Sequence, residues 1–302
     1  MSPLIHQLGQ RIRVTCADVQ QAIPDVSDVQ FLSGKGGQKL VFTCVLGGTR
    51  WALKVLDAEH DTDESTEEKV ARARREVETL TALSDPHLVR LGPRQLTATV
   101  ISGHRCLYFT EELIVGEDLQ DILKADGGIG ERDVARLGYE IGGGVAALWD
   151  RHRVHRDVKP GNIMRRSSDG SFVLLDVGIA IDPAAQPITA PGFFRGTVPY
   201  VSPEQTDPGR KAGLDFRSDL FSLGTVMYEA LTGVHPFWRA GDTIPNTLQR
   251  IKGLNPPSPA LLQPGTNAAL AGAIMKLLGK PPHMRYRTCS SFMEDLRQTG
   301  LL

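Results

Sequence analysis

Apolar positions along the chain switch between a strand period and a helix period. Val29–Leu32, Leu40–Leu46 and Trp51–Leu56 read as strands, separated by the Gly-rich stretch Gly34-Lys35-Gly36-Gly37-Gln38-Lys39 and by Gly47-Gly48. Two strands joined by a Gly-rich tip and followed by a tight hairpin predict a three-stranded antiparallel unit. From Ser65 to Leu83 the period lengthens. At about 100° per residue, Val70, Ala73, Val77, Leu80 and Leu83 share one helical arc, and Ser65 and Glu68 are spaced as a capping box. Glu76 falls inside that arc and Glu78 opposite it, so the pattern predicts a buried Glu76 and a solvated Glu78. A shorter helix is predicted over Thr15–Ile23, capped by Thr15 and Asp18 and stopped by Pro24. Leu107–Thr110 and Phe172–Leu175 read as strands, Asp219–Leu231 as a strongly apolar helix, and Thr243–Leu302 as helices with Pro-rich breaks. Glu131–His152 reads as one long helix despite Gly142-Gly143-Gly144. Each glycine there costs about 1 kcal/mol against alanine, which predicts close approach by another element.

Certain polar residues break these patterns. Lys54 follows Ala52-Leu53 in an otherwise apolar strand and is costly unless paired. His155-Arg156-Asp157-Val158-Lys159-Pro160-Gly161-Asn162 packs an acid, two cations and an amide into one loop closed by Pro and Gly. Asp176 ends the apolar run that follows. Two acids with an Asn between them suit a divalent cation that carries phosphate, because Mg²⁺ takes one or two carboxylates and leaves its other positions to water and phosphate oxygens. Backbone N–H groups at a Gly-rich tip can approach phosphate closely. Taken singly, each feature also fits a plain alternative: an ordinary polar loop, a common Gly-rich hairpin.

Taken in order, these motifs resemble the eukaryotic-type serine/threonine protein kinases found in bacteria and eukaryotes, over roughly residues 28 to 298. The resemblance implies an α+β, two-lobed fold, with a small antiparallel-sheet lobe and a larger, mainly helical lobe. It divides the chain into an extension (1–27), a small lobe (28–114) and a large lobe (115–302). Gly34, Gly36 and Val41 match the loop over the ATP phosphates, with Lys39 at the position of its third glycine. Val41 and Ala52 complete the nucleotide-binding set. Lys54 is the lysine of the α- and β-phosphates, with Glu76 as its partner. Adenine would bond to backbone at Glu112 and Ile114, with Asp118 near the ribose. Asp157 would accept or orient the substrate hydroxyl, and Lys159 would steady the γ-phosphate. Asn162 and Asp176 would hold Mg²⁺, or Mn²⁺ in its place. Thr197 would bond the catalytic acid and lysine, Glu204 would pair with Arg285, and Asp219 would bond to backbone of the catalytic loop. Arg156 would bind a phosphate on the activation segment, for which Thr189 is the candidate site. Lysine two residues after the catalytic acid is the serine/threonine-type signature. Val177 stands where the family has Phe, and Glu111 where it has Met, Thr or a bulky apolar residue. Those departures keep a pseudokinase scaffold in view. A small-molecule or RNA kinase is the other alternative, but such relatives usually lack the Ser202-Pro203-Glu204 motif.

Composition adds exclusions. The 302 residues are 41% hydrophobic and 23% charged with a formal net charge of −1, so no basic field favours nucleic acid. No apolar run reaches the length of a membrane span and residues 1–10 lack a signal-peptide pattern. The four cysteines are far apart and form no CxxC pair, which predicts free thiols in a reducing cytoplasm. The expected partner is a protein substrate. Regulation is expected from another chain or from residues 1–27, and the oligomeric state is not legible.

Overall fold

The computed structural model describes residues 6–8, 12–34, 39–58, 66–177, 198–207 and 214–302. Gly36, Thr189 and Thr197 lie outside the described residues. The fold is α+β, and the chain divides into two compact units: residues up to Ser84 with Val89–Ile114, and Asp85–Leu88 with Val115–Leu302.

The first unit opens with a short hairpin, β1 (His6–Leu8) and β2 (Ile12–Val14), and helix α1 (Cys16–Ala22). Strands β3 (Ser27–Ser33), β4 (Lys39–Leu46) and β5 (Thr49–Asp57) follow, then helix α2 (Thr66–Ala82), then β6 (Thr97–Ile101) and β7 (His104–Glu112). The five later strands form one antiparallel sheet in the order β3-β4-β5-β7-β6. Gly47 and Gly48 both take positive φ, 61° and 78°, the conformation a two-residue hairpin needs if its twist is to match the strands. Thr15 caps α1 as the sequence predicts: its hydroxyl accepts from the Asp18 N–H at 3.2 Å, and the Asp18 carboxylate accepts from the Thr15 N–H at 2.8 Å. Val19 and Ile23 then enter the same core as Leu40, Phe42, Leu53, Val55 and Tyr108. Val14, Val19, Ile23 and Val26 therefore belong to this unit's core.

The second unit contains β8 (Gly116–Asp118), α3 (Leu119–Asp126), α4 (Glu131–Trp149), β9 (Ile163–Arg166), β10 (Phe172–Leu174), α5 (Phe216–Thr232), α6 (Ile244–Gly253), α7 (Pro259–Leu262), α8 (Ala268–Leu277) and α9 (Cys289–Arg297). Its small sheet runs β10-β9-β8. Helix α5 is buried on nearly every side, so its apolar content has no polar face to interrupt it. The glycines of α4 mark close packing. A Cβ on Gly142 would lie 3.0 Å from the Phe292 ring, and one on Gly144 3.0 Å from Leu88. The helix ends at Trp149, three residues before the predicted His152, because His152 turns into the left-handed region with φ 54°.

Candidate active site

Lys54 lies on β5, opposite Val41 on β4 and Phe109 on β7. It is 2% exposed. Its Nζ donates to Glu76 Oε1 at 2.8 Å and stands 2.8 Å from Glu111 Oε2. The Phe109 ring centroid is 5.5 Å away. Glu76 comes from the buried arc of α2 with Ala73, Val77 and Leu80, while Glu78 is exposed. Glu111, opposite Ala52 in the ladder, is the residue that sequence reasoning did not join to Lys54. Gly34 follows β3 directly, and a Cβ there would be 3.0 Å from Leu40. Glu112 closes β7 and accepts from Arg90 Nε at 3.0 Å, and Ile114 is buried.

The loop after α4 gathers a second set. Asp157 Oδ2 accepts from Lys159 Nζ at 2.8 Å and from Asn162 Nδ2 at 2.9 Å. Asn162 Nδ2 also donates to the Asp157 carbonyl at 2.9 Å. The other carboxylate oxygen, Oδ1, is buried and accepts no hydrogen bond among the described residues. A buried acceptor without a donor is costly and is suited to meet a hydroxyl. Arg156 and Asp176 both hold positive φ, 67° and 61°. For Arg156 this is a strained state, of the order of 1–3 kcal/mol, that must be imposed by surroundings. Asp219, in the first turn of α5, imposes it: its two oxygens accept from the backbone N–H groups of His155 and Arg156 at 2.7 and 2.8 Å. Burial raises the Asp219 carboxyl above its ordinary pKa, and those N–H groups pull the other way. Asp118 caps α3 by accepting from the Asp121 N–H at 2.8 Å.

A third cluster braces this unit. Glu204 and Arg285 form a bidentate pair at 2.6 and 2.8 Å, and Ser218 donates to the same carboxylate at 2.7 Å. Burial pushes the Glu204 carboxyl up, but Arg285 and Ser218 together hold it below the usual carboxylate value. Arg156 is buried, and its carbonyl accepts from Gln205 Nε2 at 3.2 Å.

Among the described residues no cluster of three or more His, Cys, Asp or Glu side chains is arranged to hold a metal unaided. Asp176 offers a half-buried carboxylate. Asn162 directs its amide nitrogen to Asp157 and so leaves its oxygen as the atom for a cation. One carboxylate and one amide oxygen fit an ion such as Mg²⁺, which draws its other ligands from phosphate and water, better than Zn²⁺, which usually takes three or four protein ligands with His or Cys among them.

Comparison with known proteins places the chain among protein kinases. A Bifidobacterium longum protein described as "Probable serine/threonine-protein kinase PknB" is 34% identical over 278 residues, covering 88% of this chain and 38% of that protein. The Mycobacterium tuberculosis serine/threonine-protein kinase PknA is 34% identical over 270 residues, covering 88% of this chain and 59% of its own. PknB of the same organism is 33% identical over 253 residues, covering 81% and 38%. The chain thus spans between 38% and 59% of the length of these relatives. The sequence pattern described as "Protein kinase domain" matches residues 29–294, from the first strand of the five-stranded sheet into helix α9. A match of that extent, over both units, settles the family: the chain belongs to the protein kinase domain family.

Proposed function

We propose that this chain is a serine/threonine protein kinase that transfers the γ-phosphoryl group of ATP to a protein hydroxyl, including its own. The observation that carries this reading is Asp157, with one oxygen held by Lys159 and Asn162 and the other a buried acceptor that meets no donor among the described residues. Asp157 would receive the substrate hydroxyl there and orient it for attack. Lys159 would leave its bond to Asp157 or share it, placing an ammonium beside the transferring group. Lys54, fixed by carboxylates, would neutralise the α- and β-phosphates. Asn162 and Asp176 would hold Mg²⁺ or Mn²⁺, which supplies neutralisation of the charge that develops between β- and γ-oxygens. Positioning and charge stabilisation carry most of the rate in such transfers. Gly34 and Val41 would flank the phosphates with Gly36, and Ala52, Glu112, Ile114 and Asp118 would receive the nucleoside.

A protein substrate is favoured over a small molecule by Ser202-Pro203-Glu204, anchored to Arg285. The cytoplasm is the proposed compartment. No helix among the described residues is long and apolar enough to cross a membrane, and all four cysteines are free thiols. The test is incorporation of labelled phosphate from ATP into the chain itself and into a generic protein acceptor. Parent protein with Mg²⁺ should label both, while Asp157→Asn, Lys54→Ala and chelation should each abolish labelling with the far-ultraviolet circular dichroism unchanged. Retained labelling in Asp157→Asn would reject the assignment of the acid.

A further inference from the structure

Lys54 carries more negative charge around it than one ammonium needs. Glu76 and Glu111 both stand 2.8 Å from Nζ, and all three side chains are almost wholly buried. The two carboxylates arrive by different routes. Glu76 rides on α2, a helix held to the sheet by side-chain packing. Glu111 is on β7, the ladder neighbour of β5, in a register that pairs Ala52 with Glu111 and Lys54 with Phe109. That register puts Glu111 on the same face as Lys54 and diagonal to it, within reach of two long side chains. Backbone hydrogen bonds between two inner strands fix this relation, whatever α2 does.

We propose that Glu111 is a positioning residue for Lys54: a strand-borne counter-ion that keeps the ammonium charged and in place independently of α2. The proposal rests on the reading of Lys54 as the phosphate-binding lysine. The ammonium faces Glu76 from α2 and Glu111 and the Phe109 ring from β7. Removing Glu76 leaves Lys54 one carboxylate rigidly joined to its own sheet. Removing both takes two carboxylates away from a buried amine whose charged form desolvation disfavours. The two losses should therefore not be independent.

The experiment uses the full chain as parent, Glu76→Gln, Glu111→Gln and the double variant, with two readouts. In the first, kcat/KM for ATP should fall several-fold in Glu111→Gln, chiefly through KM. It should fall about tenfold in Glu76→Gln, and in the double variant at least about tenfold further than the product of the two. In the second, Lys54 is acylated by an amine-reactive ester and quantified by mass spectrometry as a function of pH. The double variant should react at a pH about one unit lower than either single variant, since a neutral amine is the reactive form. Glu111→Asp, which keeps the charge, should restore the parent profile, and it replaces Glu111→Gln as the comparison if the latter does not fold. A double variant whose kinetic loss equals the product of the single losses, or whose Lys54 profile matches that of Glu76→Gln, overturns the proposal. Labelling needs no phosphoryl transfer. A parent without kinase activity but with the shifted Lys54 profile would therefore sink the proposed function and leave Glu111 as the lysine's second anchor.

Discussion

Replacing Arg285 with Met would remove the cation from a pair that the surrounding structure satisfies completely. All five guanidinium N–H groups are used. Two donate to Glu204, and the others to the carbonyls of Gly279 at 2.7 Å, Arg217 at 2.7 Å and Lys280 at 2.9 Å. The Arg285 side chain is 0% exposed and that of Glu204 4%. Losing one partner of such a buried pair costs about 3–5 kcal/mol, because the other charge stays buried and uncompensated. Three carbonyls also lose a donor, at about 1 kcal/mol each where water cannot reach them. The two costs together, about 6–8 kcal/mol, are a large share of the roughly 5–15 kcal/mol that domains possess. With a urea slope of about 3 kcal/mol per molar, the unfolding midpoint should drop by more than about 1 M.

Urea titration followed by circular dichroism measures this, with three companions that separate the causes. Arg285→Lys keeps the charge but loses the planar fork, and should cost about half as much. Glu204→Met with Arg285→Met should cost less than the sum of the single changes, since no charge is then left unpaired. Glu204 has a depressed carboxyl pKa in the folded chain. Its contribution is therefore present above the unfolded value and is lost as pH falls through the folded one. The Arg285→Met penalty should accordingly shrink in acid. A penalty below about 1 kcal/mol at pH 7, or strict additivity of the two Met changes, would refute the reasoning and mean that desolvation already cancels the pair.

Other consequences are simpler to state. Glu76→Gln should lower ATP turnover through Lys54, and Glu78→Gln, on the exposed side of α2, should not; equal losses would reject the arc argument. Burial lowers the His235 pKa from 6.5 to about 3, while its Nδ1 accepts from the N–H groups of Phe237 and Trp238 at 3.0 and 2.8 Å. The unfolded chain binds a proton there that the folded chain refuses, so stability should fall with pH below 6.5 by about 1.4 kcal/mol per unit, and His235→Asn should flatten that slope by the same amount. Gly161, where a Cβ would lie 3.0 Å from Gln120 Oε1, presents no acidic side chain at that position of the catalytic loop. A peptide array should therefore show no dominant requirement for arginine two or three positions before the target. Thr189 should carry phosphate in protein made with ATP present, and Thr189→Ala should be less active; an unmodified Thr189 in fully active enzyme would end that idea.

How much of this was readable from sequence depends on how far apart in the chain the interacting groups lie. The acid, lysine and asparagine of the catalytic loop fall within six residues, so their chemistry is visible as a string. Glu76 could be chosen over Glu78 because a helix repeats its faces every few residues. Glu111 could not be joined to Lys54 in that way. Their proximity comes from the register of β5 against β7, and register is set by long-range pairing that no local pattern encodes. The hairpin β1–β2 escaped for another reason: strands of three residues are too short to show alternation.

Buried acids on apolar helices carry the argument one step further. Asp219 on α5 holds the backbone at His155 and Arg156. Glu140 on α4, 8% exposed, accepts from the Phe172 N–H at 2.7 Å and from Arg136 Nε at 2.8 Å. Glu140 was missed, although an acid between Leu137 and Ile141 on one helical face carries the same signal as Asp219. In both cases a helix supplies a carboxylate to backbone N–H groups of a loop or strand. The catalytic loop runs between those two anchors, with β9 and β10 after it. A loop that must keep Arg156 at positive φ has no reason to stay there unless its N–H groups are held. Asp219→Asn retains one acceptor and turns an amide N–H toward a backbone N–H, so the loop should relax while α5 stays folded. Hydrogen exchange at His155 and Arg156 should then quicken by a factor of ten or more, the equivalent of about 1.4 kcal/mol, with α5 amides unchanged. Unchanged protection at both positions would mean that packing around Val154 and Val158, and not Asp219, sets the shape of the loop.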